Sequence, residues 1–269
     1  MNDNNLTKQS VLDYLEQDKR FDGRKFLEMR ELEIETGISK NAEGSARVKL
    51  GNTEVLAGVK LDVTEPYTDH EDEGTLITTL ELSPLASADF ESGPPRINAI
   101  EMARLVDRGI RESGFIDFKK LSIKEGEKVW GIFLDLYAMN DDGNLIDAGV
   151  IAALAALMTC KFPEYDEKKE KVQYGKLTSK ELPTTKNIPI TMTFYKIGEK
   201  IIFDPCKEEE ESADARLSLA MSEYNKKIVI NSMQKGLEVA FTQEELSKIF
   251  EEGEKKYLEI LKKMEKLVK

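Results

Sequence analysis

Three arginines, Arg104, Arg108 and Arg111, follow one another at spacings of four and three residues within the stretch GPPRINAIEMARLVDRGIRESG, Gly93 to Gly114. On a helix, residues so spaced share one stripe. Their guanidinium groups would stand in a row, a geometry suited to phosphate or carboxylate oxygens. Arg96 precedes them. Met102, Leu105, Val106, Gly109 and Ile110 recur at i, i+3, i+4, i+7 and i+8, so the same helix has a core-facing stripe as well. The spacing leaves three readings open. The arginines could grip phosphates, pair with Glu101, Asp107 and Glu112 as a surface network, or bind an acidic neighbouring subunit.

The other reactive clusters are weaker. The run Asp204-Pro205-Cys206-Lys207-Glu208-Glu209-Glu210-Glu211 could hold a hard cation, but adjacent glutamates read better as a solvated loop. His70, the only histidine, lies in TDHEDEG, another solvated acidic loop, and one histidine nearly excludes Ser-His-Asp and Cys-His catalysis. Asp147 is in position to cap a helix beginning DAGVIAALAALMTC. The N–H groups at that helix start could meet an anion, yet Val150 and Ile151 offer it no side-chain donor. No GxxxxGK[ST], GxGxxG after a strand, HExxH or GxSxG is present. No metal and no cofactor is expected.

Net charge is −12, with a sequence pI near 4.9, so a general nucleic-acid coat is excluded and any polyanion contact must be local. Cys160 and Cys206 lie outside any CxxC spacing and fit a reducing compartment. MNDNNLTKQS has no apolar core of the secretory kind. The longest apolar run, Ala148 to Cys160, is too short for a bilayer of about 30 Å. A soluble, cytoplasmic chain without membrane contact is expected.

The elements that must position these groups follow from periodicity. Ser10 to Lys19 reads as a short helix, and Arg20-Phe21-Asp22-Gly23-Arg24 as a turn. Ala46, Val48 and Leu50 alternate, Gly51-Asn52 turns, and Val55, Ala57, Val59, Leu61 and Val63 alternate again, predicting a hairpin. Thr75 to Leu82 reads as a strand. Lys128 to Ala138 is apolar on both faces apart from Asp135 and reads as a central strand. The helix from Asp147 is apolar all round and so belongs in the core. Glu164 to Glu181 reads as a charged surface loop and a seam. Beyond it, Ile188–Tyr195 with Lys200–Asp204, and Ala215–Met221 with Ile228–Met233, form two hairpins. Thr242-Gln243-Glu244-Glu245 is a capping box opening a last helix with Leu246, Phe250, Tyr257, Leu261, Met264 and Val268 on one side. The fold class is α+β, with sheets packed on helices in two lobes. The divisions are a helical arm over 1–30, a first domain over 31–185 and a second over 186–269.

Five stretches carry a resemblance: RFDGR at Arg20–Arg24, GSARVKLGNTEVLA at Gly44–Ala57, GPP with AIEMARLVDRGIRES, LDLYAMNDDGNLIDAG at Leu134–Gly149, and DPCKEEE at Asp204–Glu210. In this order, over nearly the whole chain, they resemble the RNase PH family. GPP before the arginine helix and DP-x-x-EEE resemble, more closely, its non-catalytic ring subunit in the archaeal RNA-degrading exosome. The resemblance implies an RNase PH-type fold of two βαβα-like lobes. It implies a hexameric ring of three heterodimers, alternating with a catalytic RNase PH-like paralogue and capped by S1/KH-type proteins. It implies single-stranded RNA on Arg104 and Arg108, with Arg111 and Arg96 contributing less.

The departures from active members concern one site. Where those carry an Arg-Arg pair before the helix, this chain has Ile97 and Asn98. Where they carry Ser/Thr-Arg after the DAG turn, it has Val150 and Ile151. Their catalytic aspartate aligns with Arg216, with Asp214 two residues away as the residue that would restore activity. Each lost contact to phosphate or transition-state charge is worth about 2–4 kcal/mol, so the chain is expected to have no catalytic residues and to be inactive. The alternatives are an active phosphate-dependent 3′→5′ exoribonuclease using Asp214, and a purely structural subunit whose arginines form only salt bridges.

Overall fold

The computed structural model describes residues 3–268; the first two residues of the 1–30 arm and the last lysine fall outside them. Strands β1 (Leu32–Thr36), β2 (Gly44–Leu50), β3 (Thr53–Thr64), β4 (Thr75–Leu82), β5 (Ser122–Lys124) and β6 (Lys128–Asn140) form one sheet in the order β1-β2-β3-β6-β4, with β5 pairing β6. Helix α2 (Ile97–Glu112) lies between β4 and β6 in sequence, and the crossover it supplies lets these two strands run parallel; the other pairs are antiparallel. The Gly51-Asn52 hairpin forms in the expected register, Leu50 opposite Thr53 and Val48 opposite Val55, with Gly51 at φ 58°. Val55, Ala57, Val59 and Leu61 are buried while the residues between them are partly exposed, as a sheet covered on one face requires.

The cover is α3 (Leu145–Met158), in which every residue from Leu145 to Leu157 is buried. It separates the first sheet from a second, all-antiparallel one. That sheet comprises β9 (Ile190–Ile197), β10 (Lys200–Phe203), β11 (Ala215–Tyr224) and β12 (Lys227–Gly236), ordered β10-β9-β11-β12. Where α2 crosses this sheet, the residues it meets are small. A Cβ at Gly109 of α2 would stand 3.4 Å from Ala220 Cβ and 3.5 Å from Thr191 Oγ1. The other face meets α5 (Gln243–Met264), where Gly253 sits against Met221 and the expected Thr242–Glu245 capping box is in place. At the far end of the second sheet, α1 (Asp3–Glu16) lays Val11 and Leu15 on Tyr195, Ile197 and Ile202.

Three expectations change. The charged stretch at 164–181 is not a loop but most of a hairpin, β7 (Lys161–Asp166) with β8 (Lys171–Glu181). Trp130 anchors it, with ring centroids 5.1 Å from Phe162 and 5.8 Å from Tyr165, and those aromatic contacts override the solubility signal of the lysines. The helix read as starting at Asp147 starts at Leu145, after Asn144 in the left-handed conformation (φ 55°). Asp147 does not cap it: its carboxylate is fully buried and crosses to β9, accepting from Thr193 N at 3.0 Å and Thr193 Oγ1 at 2.7 Å.

The third change concerns the acidic run, which is not a solvated loop. Asp204 and Glu209 are fully buried, and Lys207–Glu211 is a helical turn, α4. The arm supplies the compensating charge. Arg20 pairs with Glu209, and Arg24 and Arg30 with Asp204 at 3.1 and 2.7 Å. Burial raises the Asp204 pKa, but the bonds from Arg30 outweigh it and hold the carboxyl below the usual aspartate range.

Candidate nucleic-acid interface

Helix α2 carries the row of arginines, and its two ends treat them differently. Leu105, Val106, Gly109 and Ile110 are buried, which turns the opposite side to solvent. Arg104 and Arg108 are exposed there, and among the described residues neither has an ion-pair or hydrogen-bond partner. Arg111 is engaged: it bonds Asp107 at 3.0 Å and Leu76 O at 2.9 Å, and lies over the Phe118 ring. Arg96 pairs with Glu91. Of the three carboxylates that could have neutralised the row, Asp107 takes Arg111 and Glu101 pairs with Arg216 from the second sheet.

Two of the clefts along this helix are lined by its charged residues. One, of about 350 Å³, is bounded by Ile97, Ile100, Glu101, Arg104, Arg108 and Gln234. The other, of about 700 Å³, lies where α2, α4 and the start of β11 meet, and includes Asn98, Glu101, Asp141, Lys207, Glu210 and Arg216 in its wall. Asp89 and Glu211 complete a set of five carboxylates against two cations there. The N–H of Asn144, just before the α3 N-terminus, is taken by Glu210 Oε2 at 2.8 Å. Val150 and Ile151 are buried in the core.

Arg216 donates to Glu101, and its Nε is buried with no acceptor among the described residues. Gly236 opposite makes room for it, since a Cβ there would stand 2.8 Å from Arg216 Nη2. Asp214 is not part of this wall. Lys8 of α1 donates to it at 2.6 Å and Gly198 N at 2.7 Å. Burial raises its pKa, but these donors prevail and leave the carboxyl below the ordinary range, a poor setting for a general base.

His70 is exposed and stands 3.3 Å from Glu73. Among the described residues, Asp22, Cys206 and Glu209 bring potential metal-ligand atoms within 4.8 Å of one another, but Glu209 already accepts from Arg20 through both oxygens. No described helix is long and apolar enough to cross a membrane. Sequence reasoning missed the link of Arg216 and Gln234 to Glu101, for which it held no signal, and that of Arg20 to Glu209 and Asp204. For the second, the only signal was opposite charge in two distant motifs, RFDGR and DPCKEEE.

Comparison with known proteins bears on the same elements. Residues 28–163 match the 3′ exoribonuclease family, domain 1, and residues 187–256 match its domain 2. An exosome complex component Rrp42 of Methanosarcina mazei is 46% identical over 95% of this chain and 92% of its own length. Its counterpart in Thermococcus gammatolerans is 44% identical over 96% and 93%. Among solved structures, a chain of the Archaeoglobus fulgidus exosome with RNA bound to the active site has a TM-score of 0.84 at 40% identity, covering 93% of this chain and 94% of that one. A chain of an archaeal exosome core has a TM-score of 0.85 at 35% identity, covering 97% of each. With both domains matched in order and identity sustained over most of its length, the chain belongs to the RNase PH family.

Proposed function

We propose that this chain is a non-catalytic, RNA-contacting subunit of an exosome, a 3′→5′ RNA-degrading complex. It scaffolds a hexameric ring with a catalytic RNase PH-like partner, beneath S1/KH-type cap proteins, and helps shape that partner's active site. The supporting observation is a contrast on one helix: the cleft at the family's expected phosphate site carries five carboxylates against two cations, while Arg104 and Arg108 stand exposed beside it with no partner among the described residues. Phosphorolysis needs inorganic phosphate held by donors and cations, and a wall with excess negative charge repels it. The relatives' names support membership of an exosome, and the ring and its cap are what the family resemblance implies.

In this reading Arg104 and Arg108 bind backbone phosphates of single-stranded RNA, which suits a sequence-indifferent nuclease. Arg111 and Arg96 contribute less, because each would have to leave a carboxylate. The acidic remainder of the chain keeps RNA on that local path. The arm at 1–30 and domains at 31–185 and 186–269, working in the cytoplasm, complete the proposal.

The experiment incubates the chain alone, then the reconstituted complex, with RNA and phosphate. Nucleoside diphosphates should appear only with the complex; their release by the purified chain alone would sink the non-catalytic reading. In the complex, Arg104→Glu with Arg108→Glu should weaken RNA binding and flatten its salt dependence. Normal assembly with unchanged RNA affinity would leave a purely structural subunit.

A further inference from the structure

The smaller cleft beside α2 holds more than cations. Gln234 on β12 donates Nε2 to Glu101 Oε1 at 2.9 Å, and Arg216 donates to that same oxygen. This fixes the Gln234 amide and leaves two acceptors, Gln234 Oε1 and Glu101 Oε2, with no donor among the described residues. Ile97 and Ile100, 77% and 46% exposed, supply an apolar ledge in the same wall. The cleft therefore offers guanidinium donors, an apolar surface and unanswered acceptors. Inorganic phosphate or a bare polyanion would answer the first alone, since ionised phosphate oxygens only accept. A ribose hydroxyl beside a phosphate is a donor that these acceptors can take.

We infer that this cleft is a ribose-reading subsite, in which Gln234 accepts a hydrogen bond from the 2′-hydroxyl of a nucleotide whose phosphates lie on Arg104 and Arg108. Those two arginines are separated by about 6 Å along the helix axis, so both serve one stretch of backbone. Glu101, held by Arg216, is the positioning residue that sets the amide. The 2′-hydroxyl distinguishes RNA from DNA at a given site, so the chain selects RNA without reading bases. The inference rests on the reading that α2 contacts RNA.

The test measures binding of three labelled single-stranded adenylate oligomers, RNA, DNA and 2′-O-methyl RNA, to the full chain assembled with a catalytic RNase PH-like subunit that has been inactivated. The wild-type complex should prefer RNA over both other oligomers. Gln234→Leu should lower RNA affinity by about three- to tenfold, as loss of one hydrogen bond implies, and leave DNA affinity unchanged. Arg104→Glu with Arg108→Glu should weaken all three. Equal wild-type affinity for RNA and DNA, or full RNA preference in Gln234→Leu, overturns the ribose subsite alone. Unchanged affinities in the double arginine variant overturn the underlying RNA reading instead. The 2′-O-methyl oligomer tests the hydroxyl without altering the protein, so the result does not depend on the variant folding.

Discussion

Arg20 uses all three guanidinium nitrogens inside the protein. Nε donates to Glu209 Oε1 at 3.0 Å, Nη1 to Phe203 O at 3.0 Å, and Nη2 to Asp204 O at 2.8 Å as well as to Glu209 Oε2. A buried ion pair is tolerable only when its remaining hydrogen-bonding groups are answered, and here they are. Arg20→Ala would leave Glu209 charged and unpaired in the core. We expect a loss of about 3–5 kcal/mol in urea unfolding, with Arg20→Lys failing to restore it because a lysine lacks the planar fork. A loss below about 1 kcal/mol would show that water replaces the guanidinium. The spacing of Arg104 and Arg108 was legible in the sequence, but their freedom was not. It depends on Asp107 and Glu101 being occupied elsewhere, Glu101 by a residue more than a hundred positions away.

At the scale of elements, α2 and both hairpins of the second sheet form where periodicity places them, and α3 does so but for a start two residues earlier. Local pattern decides these because α2 and the strands each bury one stripe or face, while α3 is apolar all round. The β7–β8 hairpin escaped that reading because lysines and glutamates interrupt its apolar residues, and Trp130, the residue that anchors it, lies outside the segment. The contact between β2 and α3 is tighter than any pattern could tell. A Cβ on Gly44 would stand 2.2 Å from Ala156 O and 2.9 Å from Cys160 Cα, both backbone atoms. Gly44→Ala must push the first sheet off its helix, and overpacking of this kind costs about 1–3 kcal/mol or more. Thermal melting should show a clear drop in Tm; a variant as stable as wild type would mean that the sheet and helix slide apart freely.

Across the whole molecule, α3 packs between two sheets and carries one buried carboxylate, Asp147, bonded to the second. Burial pushes the Asp147 pKa up to about 7, against the hydrogen bonds from Thr193 and Asn144 that lower it. Its folded pKa thus lies above the unfolded value of 3.8. The associated stability is fully present below that unfolded value and is lost as pH rises through about 7. Asp204, held below its usual range, acts in the opposite sense and loses its contribution as pH falls. Asp147→Asn removes the first titration and leaves the second. The stability of the variant relative to wild type should rise by about 1–3 kcal/mol between pH 5 and pH 8, measured by urea unfolding at both. A difference that does not change with pH would mean that Asp147 stays ionised throughout.

The sequence by itself determined the α+β class, the hairpins and their turns, the arginine row on α2 and the resemblance that comparison with relatives bears out, because each depends on residues near one another in the chain or on a motif's order. Only the tertiary structure decided which charges are free. Arg20 meets Glu209 across 189 positions, and Arg216 meets Glu101 across 115. No local pattern records such pairs: charge neutralisation depends on distance in space, which the packing of the two sheets around α3 sets.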